Sequence, residues 1–283
     1  RLYLANDTST EAHAGCRAVM RSLRAALSQV PNLTITATHQ VGSMELDEAA
    51  FDAADAVLIN GEGSIHHSTA RATFLLALLQ EAQQRGKKVL LVNALFQQYD
   101  GPPDLLANLT LLTVREPRSA AFARRFGGTP KILLDSAADP AFLENGKPIA
   151  GKQGRLIGGS HGNALLKSPF EGLAGKPLTM AQGRFEDIVA TLRQADLYLT
   201  GQHHGVYAAA LAGCPFVATP SNSHKIEAFI YWSGLPVPIC TRRDEIDAAI
   251  GFALRNRSLY AELQDFMRGQ SVLTGAILAQ ALS

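Results

Sequence analysis

Short apolar runs bounded by polar or glycine-rich turns recur along the chain, separated by stretches of helical periodicity. That alternation predicts parallel strands joined by helices. In the first half the strand patterns fall at residues 1–5, 33–39, 56–60 (AVLIN), 88–94 (KVLLVNA), 109–114 and 131–134. Helical patterns cover about 14–30, 44–54, 70–85 and 117–126, the first with Ser9 or Thr10 as its cap. Residues 145–154 (NGKPIAGKQG) are rich in Gly, Pro and Lys and carry no apolar period, which places a domain boundary there. Strand patterns resume at 155–158, 178–180, 197–200, 215–219 and 237–239, with helices at 183–194, 205–212, 227–234, 246–255 and 258–268. The expectation is an α/β protein of two Rossmann-like domains, 1–148 and 149–283, whose parallel sheets face a central cleft. No internal repeat or low-complexity segment is visible, and the single Trp232, at an apolar helix end, reads as core.

Ligands of open α/β sheets bind at the carboxyl ends of the strands, so the polar residues there are the candidates for chemistry. Gln202, His203 and His204 end the 197–200 run and precede the helix that starts at Gly205, where free backbone N–H groups favour an anion. The next strand end carries Ser221, Asn222, Ser223, His224 and Lys225. A His pair in such a turn also occurs as plain packing or capping; the second polar turn with its lysine favours a phosphate or carboxylate site. The first strand of the second half leads into Ser160-His161-Gly162-Asn163, a donor-rich turn able to wrap a phosphate, though it is not GxGxxG.

In the first half, Asn6, Asp7 and Thr8 form the turn after the opening strand. Glu62 lies between Gly61 and Gly63, an arrangement that exposes a carboxylate at a strand end and favours a functional role over one of bonding neighbouring N–H groups. His66 and His67 either cap the following helix or touch substrate; no carboxylate or cysteine lies at helical spacing to make them a metal site. Arg115 stands where a strand gives way to a helix, a position suited to a fork-shaped anion binder. Asp135 and Asp139 are candidates for catalysis, with Asp139 before Pro140 readable as a turn residue.

Composition narrows the partners. The formal net charge is +1 and no long basic run occurs, which argues against nucleic acid. Cys16, Cys214 and Cys240 are widely spaced and odd in number, as suits a reducing cytoplasm. No apolar run approaches the roughly 20 residues that span a bilayer, and no signal peptide or basic amphipathic helix is evident. The chain begins with Arg1, already in a strand pattern, which leaves an upstream segment open.

Four segments in order resemble the polysaccharide pyruvyltransferase superfamily: Asn60-Gly61-Glu62-Gly63, Arg115-Glu116-Pro117-Arg118-Ser119, Asp139-Pro140, and Gln202-His203-His204-Gly205 with the later Lys225. The resemblance implies a GT-B-like pair of Rossmann domains. The chain departs from the pyruvyltransferase pattern in two places. Gln202 replaces the arginine of Arg-x-His-Gly, removing a bidentate anion contact, and Glu62 adds a carboxylate unwelcome to a dianionic donor. Both departures are similar to the retaining β-Kdo glycosyltransferase branch, which uses CMP-Kdo.

That likeness implies Asp135 as nucleophile, with Asp139 in reserve, and Glu62 as acid/base in a double displacement. It implies CMP on the C-terminal domain, its phosphate near Ser160, His161 and His204 and its nucleoside near residues 221–225. The first domain then carries the acceptor side. No metal or other cofactor is expected, because a single leaving phosphate can be stabilised by helix N-termini and histidine. The implied partners are a nucleotide-sugar donor and a saccharide acceptor for bacterial surface polysaccharide, at the inner face of the cytoplasmic membrane or free in the cytoplasm. Peripheral association with polysaccharide-assembly proteins is compatible with that role. Two rivals remain open: a pyruvyltransferase using phosphoenolpyruvate, dependent on Arg115, His204 and Lys225, and a non-catalytic saccharide-binding module.

Overall fold

A computed structural model of the 283-residue chain describes residues 1–160 and 169–283. The chain forms two compact units: Arg1–Glu11, Val19–Ser136 and Ser271–Ser283 in the first, Ala12–Ala18 and Ala137–Gln270 in the second.

The first unit runs β1 (Leu2–Asp7), α1 (Ala14–Ser28, which the division crosses), β2 (Ile35–Gln40), α2 (Glu48–Ala53), β3 (Ala56–Asn60), β4 (Ile65–His66), α3 (Ala70–Gln84), β5 (Lys88–Ala94), β6 (Phe96–Gln97), β7 (Leu111–Val114), α4 (Pro117–Arg124) and β8 (Lys131–Ile132). Six of these strands make one sheet in the order β2-β1-β3-β5-β7-β8, every pairing parallel; β4 and β6 pair separately. Its inner strands are apolar on both faces because helices cover both. Alternation with period two divides them: Tyr3, Val57, Ile59, Val89 and Leu91 join a core with Leu75, Leu79 and Ala120, whereas Leu2, Leu4, Leu58, Leu90 and Val92 join one with Met20, Leu23 and Leu27. Each such buried side chain is worth on the order of 1.5–3 kcal/mol relative to exposure.

The second unit contains α5 (Pro140–Leu143), β9 (Gly154–Ser160), β10 (Lys176–Pro177), α6 (Phe185–Leu192), β11 (Ala195–Gly201), α7 (His203–Ala212), β12 (Phe216–Ala218), α8 (Lys225–Ser233), α9 (Ile246–Arg255) and α10 (Arg257–Arg268). Its sheet has the order β10-β9-β11-β12, again parallel. The short strand expected at 178–180 lies two residues earlier, at an edge where Pro177 owes no ladder donor. The run at 237–239 contributes only a bridge, Ala218 to Ile239.

The structure also corrects the contiguous boundary at 148/149. The switch to the second unit comes at Ala137, and the last segment returns to the first. There α11 (Gly275–Leu282) follows a hydrogen bond from the Leu134 amide to the Ser271 carbonyl (2.8 Å). Leu273 and Leu278 complete the core on the α1 face. Gly275 allows the approach: a Cβ there would stand 2.5 Å from Gln29 Cβ. No helix among the described residues is long and apolar enough to cross a membrane.

Candidate functional site

Strand order decides where each unit can bind. In the first sheet the connections reverse direction between β1 and β3, so the crevice beyond their carboxyl ends is the topological switch point. The residues there are the end of β1 with the turn after it and the end of β3 with its glycine-flanked turn, which bond to each other. Asn6 adopts the left-handed region (φ 60°), which Asn tolerates better than most residues. Its Nδ2 donates to the Asn60 carbonyl (2.6 Å) and to Ser64 Oγ (3.2 Å), and Asn60 Nδ2 returns a bond to the Asn6 carbonyl (3.3 Å).

Glu62 follows, buried at 7% exposure, with Oε2 accepting from Thr8 Oγ1 at 2.9 Å. The glycines are required here: a Cβ on Gly61 would stand 2.7 Å from Ala94 Cβ, and Gly63 has φ 53°. Asn60, which the sequence marks only as part of the Asn60-Gly61-Glu62-Gly63 segment, and Ser64, which it does not single out, are therefore part of the frame that aims Glu62.

Asp7 has a different job from the ligand contact expected of it. Its carboxylate accepts from the Ser9 amide (2.8 Å) and from Arg24 Nη2 (2.5 Å), an Asx turn tied to α1. Burial pushes its carboxyl up, but the Ser9 bonds and the Arg24 guanidinium prevail and hold it below the ordinary carboxylate range.

Three strands along the same edge, Asp135 follows β8 fully buried, and Arg115 Nη1 meets its Oδ2 at 2.5 Å. The two side chains are 0% and 2% exposed, so Arg115 is committed to this carboxylate as well as being a potential anion binder. Between Glu62 and Asp135 in the sheet, Asn93, one residue before the end of β5, lies in the left-handed region (φ 55°). Its Oδ1 accepts from the Ser136 amide (3.2 Å), while its Nδ2 is buried with no bonded partner among the described residues. Asp139 takes the turn role: its Oδ1 accepts from the Ala141 amide (3.0 Å) and caps α5. His66 and His67 contact each other (Nδ1 to Nδ1, 2.8 Å), but the cap of α3 is Thr69.

In the second unit the switch point falls between β9 and β11, where Ser160 is paired with Gly201. The Gln202 side chain lies against Gly159, whose Cβ would stand 2.8 Å from Gln202 Nε2. Gln202 Oε1 is buried with no bonded partner among the described residues. His203 and His204 open α7, and close packing of that helix on the strand needs Gly205, where a Cβ would overlap Thr200 Oγ1. Both imidazoles are buried at 5–6% exposure. His203 stacks on Tyr207 (4.3 Å between centroids), and His204 faces His13 (5.2 Å) and Phe185 (6.2 Å).

After β12, Lys225 opens α8 with Nζ donating to Asn222 Oδ1 (2.7 Å), beside Ser221, whose Oγ is 3.4 Å from the same oxygen. Ser223 and His224 are buried in the same turn. His161, Gly162 and Asn163 lie outside the described residues. Burial pushes the Cys214 and Cys240 thiols up to about 12 and about 11, which makes them core residues rather than nucleophiles.

No protein-family model matches the chain, and no curated protein matches it. Solved structures do. The spinosyn rhamnosyltransferase SpnG complexed with thymidine diphosphate superposes with TM-score 0.55 and 12% identity, covering 100% of this chain and 99% of that one. UDP-GlcNAc 2-epimerase from Neisseria meningitidis bound to UDP-GlcNAc gives 0.56 at 10% identity over 99% and 98%. A UDP-N-acetylglucosamine 2-epimerase from Listeria monocytogenes gives 0.57 at 13% over 95% and 90%. The fold is GT-B-like. At these identities the likeness fixes the pair of Rossmann-like units and nothing finer.

Proposed function

We propose that this chain is a glycosyltransferase whose donor is a nucleotide-activated sugar, of the CMP-linked acidic class exemplified by CMP-Kdo, and whose acceptor is a saccharide of the bacterial surface. The observation that carries the reading is the buried Glu62, held by Thr8 at the switch point of the first sheet. A carboxylate is costly to bury and is retained at a ligand crevice when chemistry uses it. The nucleotides in SpnG and in the Neisseria epimerase support a nucleotide-linked donor here. Those are nucleoside diphosphates, however, so the single phosphate of CMP rests on the likeness to the β-Kdo branch.

In this reading the second unit holds the donor. The α7 N-terminus with Gln202 and His204 takes the phosphate, Lys225 adds positive charge, and the turn at residues 221–225 borders the nucleoside. The first unit supplies the reaction. Asp135 attacks the anomeric carbon, CMP departs with the bonding electron pair, and the glycosyl–enzyme ester forms. Glu62 then takes the proton of the acceptor hydroxyl as that oxygen displaces Asp135. Asp139, occupied as a helix cap, is not the nucleophile. Glu62 and Asp135 leave strands with β5 and β7 between them, so the sugar lies across Asn93 and Arg115. The Asn93 amide is then a donor for a sugar hydroxyl.

Calorimetric titration with CMP, with UDP and with phosphoenolpyruvate tests the donor class. Saturable CMP binding alone supports the reading, UDP binding alone moves the donor to the diphosphate sugars, and phosphoenolpyruvate binding alone restores the pyruvyltransferase. Glu62→Gln should bind CMP as wild type does and transfer about 10²–10⁴-fold more slowly. Full transfer activity in that variant would remove Glu62 from the mechanism.

A further inference from the structure

The start of α1 and the start of α7 bring together three side chains, of which the transferase reading uses only His204. His13 and Cys16 are three residues apart, so both face the same side of the first turn of α1. His204, nearly two hundred residues later, faces them from α7, its ring centroid 5.2 Å from that of His13. A ligand atom of each, an imidazole nitrogen from the histidines and Sγ from Cys16, lies within 4.8 Å of the other two. His13 and Cys16 are half-buried and His204 is buried, so the cluster is backed by protein and two of its three side chains are partly exposed. Gly15 makes the approach feasible, because a Cβ there would overlap the His204 ring.

We propose that His13, Cys16 and His204 bind a divalent ion of the zinc class through two imidazole nitrogens and one thiolate. Zinc takes this mixed donor set at about 2.0–2.1 Å to nitrogen and 2.3 Å to sulfur. Ligand atoms in such a tetrahedron are therefore on the order of 3.3–3.6 Å apart. From 4.8 Å or less, side-chain rotation of the two half-buried residues closes the gap. Binding releases the Cys16 thiol proton to solvent, and the thiolate charge offsets the unfavourable position of a cation near two helix N-termini. Three protein ligands leave a fourth position for water or an anionic oxygen, which distinguishes the site from closed structural zinc sites. The site shares His204 with the proposed phosphate site, but its ion is bound whether or not the donor is CMP-linked, so the metal titration below can fail without the transferase reading failing.

Cobalt(II) titration of tag-free, metal-stripped, reduced protein reads the site directly, since a thiolate ligand gives an intense sulfur-to-cobalt charge-transfer band in the near ultraviolet. One equivalent should develop that band, and one equivalent of zinc should abolish it. Cys16→Ser should lose the band altogether. His13→Ala should weaken zinc binding by more than about 100-fold, the upper end of what even outer-sphere changes cost. Both substitutions fall on half-buried positions, and circular dichroism of the apo variants checks that each is folded. A band that persists in Cys16→Ser, no band at one equivalent in the wild type, or unchanged zinc affinity in His13→Ala would each overturn the proposal.

Discussion

Replacing Arg115 by Met would remove a guanidinium counter-charge from a carboxylate that has no access to solvent. Arg115 Nη1 and Asp135 Oδ2 are 2.5 Å apart with both side chains at most 2% exposed. Charge centres about 4 Å apart at an effective dielectric near 20 attract by about 4 kcal/mol. Removing one member of such a pair costs on the order of 3–5 kcal/mol, because the remaining charge stays buried without its counter-charge. A domain stable by about 5–15 kcal/mol survives that loss, but only just. Urea unfolding at neutral pH should place the Arg115→Met midpoint well below wild type. The double variant Arg115→Met/Asp135→Asn should recover more than half of the loss, since two neutral groups of similar size avoid a buried charge without its counter-charge. A single-variant cost under about 1 kcal/mol, or a double variant no more stable than the single, would refute the pairing as an energetic unit.

Further outcomes follow from the same geometry. The Asp7 carboxyl is held below the unfolded value of 3.8, so the stability it adds is fully present above that pH and is lost as pH falls through the lower folded value; acid unfolding of Asp7→Asn should lack that part of the slope seen in wild type. Gly205→Ala should destabilise by about 1–3 kcal/mol through its overlap with Thr200 Oγ1, and Thr200→Ala in the same chain should relieve part of it in thermal melts. Asn6→Ala loses two hydrogen bonds and a residue suited to φ 60°, which should cost about 2–3 kcal/mol and weaken acceptor binding, measured by chemical denaturation and saccharide titration.

Some of this was legible before any coordinates. The apolar runs of β1, β3, β5 and β11 are continuous because both faces of a parallel sheet are covered, so composition alone marks them. Gly61 and Gly63 announced a tight turn and Gly205 a helix start, and the polar residues at 60–64, 135 and 202–205 fell at strand ends as the βα alternation requires. Asp139 could be read as a turn residue from the proline beside it. What the local pattern does not encode is which strand lies beside which. Periodicity reports the faces of an element, whereas a switch point is a property of strand order, and only the assembled sheets put Thr8 next to Glu62 and Ser160 next to Gly201.

Long-range closure decided the rest. The return of residues 271–283 to the first unit is driven by Leu273 and Leu278 completing a core whose other members lie over one hundred positions upstream, and an apolar helix near a chain's end carries no mark of where it docks. The burial of Asp135 against Arg115 depends on β7 and β8 being neighbours. His13 and Cys16 sit three residues apart at a helix start, and a third ligand from α7 could be found only when two helix N-termini were brought together. The sequence by itself determined the elements, the class of fold and the polar turns. Tertiary structure determined which turns share a crevice, because adjacency is set by cores and strand order summed over the whole chain rather than by any one segment.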